Sequence, residues 1–186
     1  MPPTRAAVGR AAKLDEILDR AQARLCAGGY DQMSIAAIAR ELGVSQNTIY
    51  WYYPSKDDLF AAVARRVLEI HVASKPSGRG ELAKILWTAE KMSELGPLRG
   101  EINARAPHCP AVDALRTQLE DWTDTLLTSG IRQIAHPDSQ VAAIAFRASV
   151  EGAVSLGLSR RARREVISWA FAATVAALGG KPSEGT

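Results

Sequence analysis

Between Ser34 and Leu59 the chain reads SIAAIARELGVSQNTIYWYYPSKDDL, and few folds accommodate that spacing. With Ile35 as the first position, two short helices and a tight turn fall into one register. Ala39, a small residue, stands where the helices cross most closely. Gly43 falls in the turn, where a positive φ costs glycine little. Ile38, Leu42, Val44 and Ile49 take the positions that must be apolar to hold the two helices at their angle. A helix-turn-helix of this kind sets its second helix into the major groove of DNA.

The residues after the turn agree. Ser45 is an N-cap for a helix through Gln46, Asn47, Thr48, Ile49, Tyr50, Trp51 and Tyr52. Ile49 points inward and Gln46, Asn47, Thr48, Tyr50 and Trp51 are left largely outside. Three adjacent aromatics would be wasteful on an inert surface. Ser55, with Asp58 three residues on, has the spacing of a capping box, so a new helix starts there. On these residues the sequence resembles the TetR family of bacterial transcriptional regulators. The family signature, roughly T-[hydrophobic]-x-x-I-A-x-x-x-G-V-S-x-G-T-L-Y-x-Y-F-x-S-K-x-x-L, is matched from Ser34 to Leu59 with few departures. The resemblance also takes in the preceding helix, with Gly29-Tyr30 at its end. The remainder of the chain is similar to the family only in length and helical character.

Composition is that of an ordinary soluble globular protein, 47% hydrophobic and 23% charged. The formal net charge of +3 permits an anionic partner. Arg5, Arg10 and Lys13 precede the first acid, Asp15, and make a basic arm that either lies on phosphate or is simply solvated. Two distant cysteines, Cys26 and Cys109, without a secretory signal, argue against a disulfide framework. The longest charge-free helical stretch, Val166 to Leu178, has thirteen residues, whereas a membrane span needs about 20. A cytosolic protein without a membrane anchor is expected.

The periodicity predicts helices almost everywhere and no strand. The first runs from about Arg10 to Ala27, with Leu14, Ile17, Leu18, Ala21 and Leu25 on one face. A long helix runs from Lys56 to about Ser74, and Lys75-Pro76-Ser77-Gly78-Arg79-Gly80 breaks the pattern. A helix from Glu81 to Leu95 stops at Gly96-Pro97. From Pro110, Val112, Leu115, Leu119, Trp122 and Leu126 form a stripe ending at Gly130. Ser139 to Leu158 is apolar on nearly all sides, with Arg147 and Glu151 its only charges, and Val166 to Leu178 has none. Helices of this kind must be covered all round, so each is expected to pack on its own core and on a second copy of the chain. That agrees with the TetR-like arrangement, in which the last two helices of each subunit form a four-helix dimer interface. Two domains are expected: a DNA-binding head over 1–55 and a helical effector-binding and dimerisation domain over 56–186, with the helix from 56 connecting them.

The resemblance and the chemistry together nominate a reading surface of Ser45, Gln46, Asn47, Thr48, Tyr50, Trp51, Tyr52 and Lys56. Gln46 and Asn47 are bidentate amides suited to base edges such as adenine. Family members usually carry glycine or alanine at the Asn47 position, so the operator sequence does not follow by analogy. Thr48, Tyr50, Tyr52 and Lys56 match positions that in the family commonly contact phosphate, and Trp51 suits a thymine methyl or a sugar. Tyr50 and Tyr52 suit the packing of a small domain as well, Tyr52 the more so. Cys26 stands where the family often has phenylalanine and is expected in the core.

Candidate effector residues are Trp87, Met92, His108, Trp122, Phe146 and Trp169, since aromatic and thioether groups at helix interfaces suit apolar ligands; such residues are more often plain core. His108-Cys109 has no second Cys/His pair at metal spacing, and His71 and His136 stand alone, so neither a metal nor another cofactor is expected. The run Arg160-Arg161-Ala162-Arg163-Arg164 reads as a solvated helix start. There is no glycine-rich phosphate loop, nucleophile elbow or metal-ligand run, which argues against an enzyme. The expectation is an all-α, dimeric, TetR-like bacterial repressor that leaves its DNA operator on binding a small effector. A ligand-independent DNA-occupancy or architectural protein on the same fold is the alternative.

Overall fold

A computed structural model of the chain describes the backbone of residues 5–78 and 80–180, and side chains within that span from residue 12 onward. All regular structure among these residues is helical. The order is α1 (Arg5–Gln32), α2 (Ile35–Glu41), α3 (Gln46–Tyr52), α4 (Lys56–Ala73), α5 (Glu81–Glu94), α6 (Gly96–Arg105), a 3-10 turn (Ala106–His108), α7 (Pro110–Arg132), α8 (Ser139–Ser155) and α9 (Arg160–Ala177). The side chains of Arg5 and Arg10 in the basic arm lie outside the described residues, while Lys13 pairs with Glu16 at 2.8 Å. The chain forms two compact units.

The first unit holds the chain up to Val72 together with Leu98–Arg116. The helical path of α1 breaks at Gly28 and at Gly29, whose φ of 74° lies in the left-handed region glycine tolerates. The chain then turns through Tyr30 into α2. Ser34 caps α2 by accepting a hydrogen bond from the Ala37 N–H at 3.3 Å. At its other end Gly43 has a φ of 64°. The Val44 N–H donates to the Ala39 carbonyl and the Gly43 N–H to that of Arg40, the paired closure of a Schellman motif. Ala39 and Ile38 are buried, as is Ile49 on the facing helix. Ser55 accepts from the Asp58 N–H at 3.0 Å and donates its hydroxyl to the Asp58 carboxylate at 2.7 Å, which starts α4. Phe60 of α4 is fully buried and meets the Tyr30 ring edge to face, with centroids 5.4 Å apart.

Two expectations fail in this unit, and a third along α7. Cys26 is exposed rather than core: on α1 it lies about 140° round from buried Ala21 and on the opposite side from buried Ile17. Residues 96–105 form a helix, α6, where no element was predicted. Gly96 and Pro97, read as a terminator, sit in its first turn, where proline's missing N–H costs nothing. The stripe on α7 holds only in part. Val112 and Leu115 are buried, but Leu119, Trp122 and Leu126 are half-exposed.

The second unit holds Ala73–Pro97 and the chain from Thr117. Here α7 buries Thr123, Leu127, Thr128 and Ile131. Threonine reads as polar in a periodicity count, yet Thr128 donates its hydroxyl to the Asp124 carbonyl at 2.6 Å and so is satisfied without water. In this unit α5 packs against α8 and α9, which pack against each other. Their core includes Ile85, Met92, Phe146, Val150, Ile167 and Phe171, with the two phenylalanine rings 5.8 Å apart. Arg163 breaks the expectation of a solvated arginine run. It is buried, donating to the Glu90 carboxylate and the Ser93 hydroxyl, both at 3.0 Å. A buried guanidinium is tolerable only when paired in this way.

Candidate nucleic-acid interface

The outer surface of α3 follows from its capping. The Ser45 hydroxyl accepts from the Thr48 N–H at 3.2 Å and lies 3.0 Å from the Thr48 hydroxyl. With the register so fixed and Ile49 at 0% exposure, Gln46, Asn47, Tyr50 and Trp51 project outward. Trp51 is 65% exposed, and its ring meets that of Tyr52 edge to face at 4.7 Å. Thr48 and Tyr52 are half-buried. Ser45, Gln46, Asn47, Thr48, Tyr50, Trp51 and Tyr52 therefore lie on one short helix and its cap, with two free amides in its first turn.

Lys56, at the start of α4, has surroundings the sequence did not suggest. Its ammonium lies 3.9 Å from the Tyr30 ring centroid, a cation–π distance. The Arg105 guanidinium, from the last turn of α6, also lies over that ring. The Tyr30 hydroxyl donates to Asp57 at 2.6 Å, and Arg105 approaches Asp57 at 3.7 Å and Glu101 at 3.1 Å. Burial holds the Lys56 amine below the ordinary lysine range; Asp31 pulls it back up and Arg105 pushes it down. Burial, and then the hydrogen bond to Asp57, push the Tyr30 hydroxyl well up, so the phenol stays protonated and donating. Tyr30, Asp57 and Arg105 are thus parts of the site that sequence reasoning missed. Gly29-Tyr30 was visible as a helix end, but nothing in the sequence joined it to Arg105.

The six candidate effector residues are divided between the two units. His108 is exposed and belongs to the first unit. In the second, Met92 and Phe146 are in the core, Trp122 is half-buried on α7, and Trp169 is 75% exposed on α9. Trp87 lines a hollow of about 930 Å³, bounded by Ser74, Pro76, Gly78 and Gly80, one face of α5 and the start of α9, and His108 lines another, of about 620 Å³, beside Ala106, Cys109 and Pro110 in the first unit. Among the described residues no three His, Cys, Asp or Glu side chains come together as metal ligands. No described helix is long and apolar enough to cross a membrane.

Residues 17–63 match the family profile of bacterial regulatory proteins, tetR family. No curated protein sequence matches the chain. Among solved structures, a transcriptional regulator from Rhodococcus sp. Rha1 aligns with a TM-score of 0.67 at 14% identity, covering 88% of this chain and 96% of its own. A TetR-family regulator from Mesorhizobium loti gives 0.61 at 21% identity, with 94% and 98% covered. A transcriptional regulator from Saccharomonospora viridis, solved in complex with choline, gives 0.61 at 23% identity, with 85% and 94% covered. At these identities the likeness carries the fold, and it spans nearly the whole of each chain.

Proposed function

Given a head of the tetR family, whose members are DNA-binding transcription regulators and not enzymes, and a fold shared with such regulators, we propose a dimeric, effector-responsive repressor. It reads its operator with α3, and its work lies in the cytosol. The observation that carries this reading is α3 itself, whose single inward residue, Ile49, anchors an outer face of two amides and two exposed aromatics. Gln46 and Asn47 read base edges, and Thr48, Tyr50, Tyr52 and Lys56 hold phosphate, with Ser45 setting the register and Trp51 against sugar or a thymine methyl. In this reading the DNA-binding domain is 1–55 and the effector and dimerisation domain 56–186.

Dimerisation rests on a second apolar stripe. On α8, Val141, Ile144, Ala145 and Ala148 are exposed and recur at helical spacing, opposite buried Ala143, Phe146 and Val150. On α9 the corresponding line is Val166, Trp169, Ala173 and Ala176, opposite Ile167, Phe171 and Val175. Each helix thus has two apolar faces, of which its own unit covers one. The charges of α8 are answered elsewhere, Arg147 by Glu151 and Asp124. A two-fold pair of these helices covers the outward stripes and presents two α3 helices to half-sites about 34–36 Å apart. That a similar fold from Saccharomonospora viridis was solved with choline supports a small-molecule effector.

Operator binding tests the head directly. On the best site, Gln46→Ala or Asn47→Ala should cost about 1–3 kcal/mol, with a much smaller loss on random DNA. Lys56→Ala should instead weaken binding to all sequences and reduce the salt slope by about one. Fluorescence anisotropy across a salt series reads both. Equal losses on specific and random DNA for the amide variants would place those residues on the backbone only. An unchanged slope for Lys56→Ala would remove its phosphate role.

A further inference from the structure

The hollow of the second unit has a charge pattern that selects among ligands. α9 begins on Arg160, Arg161, Arg163 and Arg164, at the end of a helix where peptide dipoles disfavour cations. Three of the four are answered by carboxylates. Arg161 pairs with Glu165 at 2.9 Å, while Arg160 and Arg163 share Glu90 at 3.3 and 3.0 Å. Arg164 is exposed and has no ion pair among the described residues.

Arg160 and Arg164 both border the hollow, whose apolar wall is Leu82, Leu86 and Trp87 of α5. Its remaining ionised groups are already matched: Glu94 is bound to Lys91, and Glu81 faces Lys84 at 3.5 Å. Among the described residues every carboxylate on the rim therefore has its cation, and the charge left over is the Arg164 guanidinium. A volume of about 930 Å³ lies within the roughly 300–1,000 Å³ of small-molecule sites. A quaternary ammonium would meet no free carboxylate here. A carboxylate would meet the planar fork that binds it in two parallel hydrogen bonds.

We propose that this hollow binds a small organic carboxylate with an aromatic or apolar body, its charge on Arg164 and its body against Trp87, Leu82 and Leu86. The inference deepens the effector-responsive reading and rests on it for its regulatory meaning, although binding itself does not need DNA.

The test is calorimetric titration of the full-length, DNA-free protein with 1-naphthaleneacetate, 1-naphthaleneacetamide and 1-naphthylmethylammonium, which share a body and differ in charge. A longer acid, 4-phenylbutyrate, serves as a second probe. The acids should bind and the ammonium should not. Arg164→Ala should weaken acid binding by about tenfold, and Arg164→Lys by less, since Arg164 is exposed and its replacement leaves the core intact. Failure of both acids to bind, binding of the ammonium at least as tight, or an Arg164→Ala variant as good as wild type would each overturn the proposal. Operator affinity is measured on the same proteins without ligand and should be unchanged by Arg164→Ala. A loss there, with acid binding unaffected, assigns Arg164 to DNA instead. Intact operator binding without acid binding refutes the carboxylate site alone, and acid binding without operator binding refutes the regulator reading alone.

Discussion

Ala148→Arg should convert the protein from a dimer into a folded monomer. Ala148 is exposed in the single chain, the last residue of the outward stripe of α8, so its own unit has no objection to a long side chain there. A partner helix packed on that stripe would bury the guanidinium without a counter-charge, because Arg147 and Glu151 on the same helix are already engaged. Leaving a buried charge unpaired costs about 3–5 kcal/mol, roughly a hundredfold to several thousandfold in dimer affinity at 1.4 kcal/mol per factor of ten. Sedimentation at micromolar protein should show the monomer mass, and circular dichroism an unchanged helical content. Operator affinity should fall with it, since one α3 reads one half-site. Ala176→Arg, on the stripe of α9, should behave alike; Ala172→Arg, half-buried, should damage the fold as well. A wild-type protein already monomeric under these conditions would remove the basis of the dimeric mechanism.

Phe60→Ala should be the most damaging single change in the first unit. The ring has 0% exposure and stands edge to face against Tyr30. Its removal takes away the transfer free energy of the side chain and leaves a cavity, together about 3–5 kcal/mol. That is a large part of the roughly 5–15 kcal/mol by which domains are stable. Phe60→Leu, nearer in volume, should cost less than about 1.5 kcal/mol. Tyr30 also carries Lys56 on its ring and donates to Asp57, so Phe60→Ala should weaken DNA binding even where the protein remains folded. Urea midpoints at one fixed protein concentration, read beside operator affinity, check both effects. A midpoint close to wild type would mean that the cavity collapses and that Tyr30 does not depend on Phe60.

The helix-turn-helix was legible in the sequence because its constraints are local. A glycine at φ 64°, a small residue at the crossing and caps at Ser34, Ser45 and Ser55 act over a few residues, and each has one geometry that satisfies its backbone groups. The outward face of α3 followed from the same register. Other features were decided by partners distant along the chain. Arg163 is buried because Glu90 and Ser93 of α5 receive it; the sequence around it shows only a run of arginines. Lys56 is half-buried because Tyr30 and Arg105 meet beside it. Threonines 123 and 128 are buried although a hydrophobic count places them outside. Periodicity marked α8 and α9 as apolar all round, but only the fold separated the face turned to the core from the one left open. A helix's sequence states which of its faces avoid water; what covers each face depends on the elements packed against it, and local chemistry does not encode those.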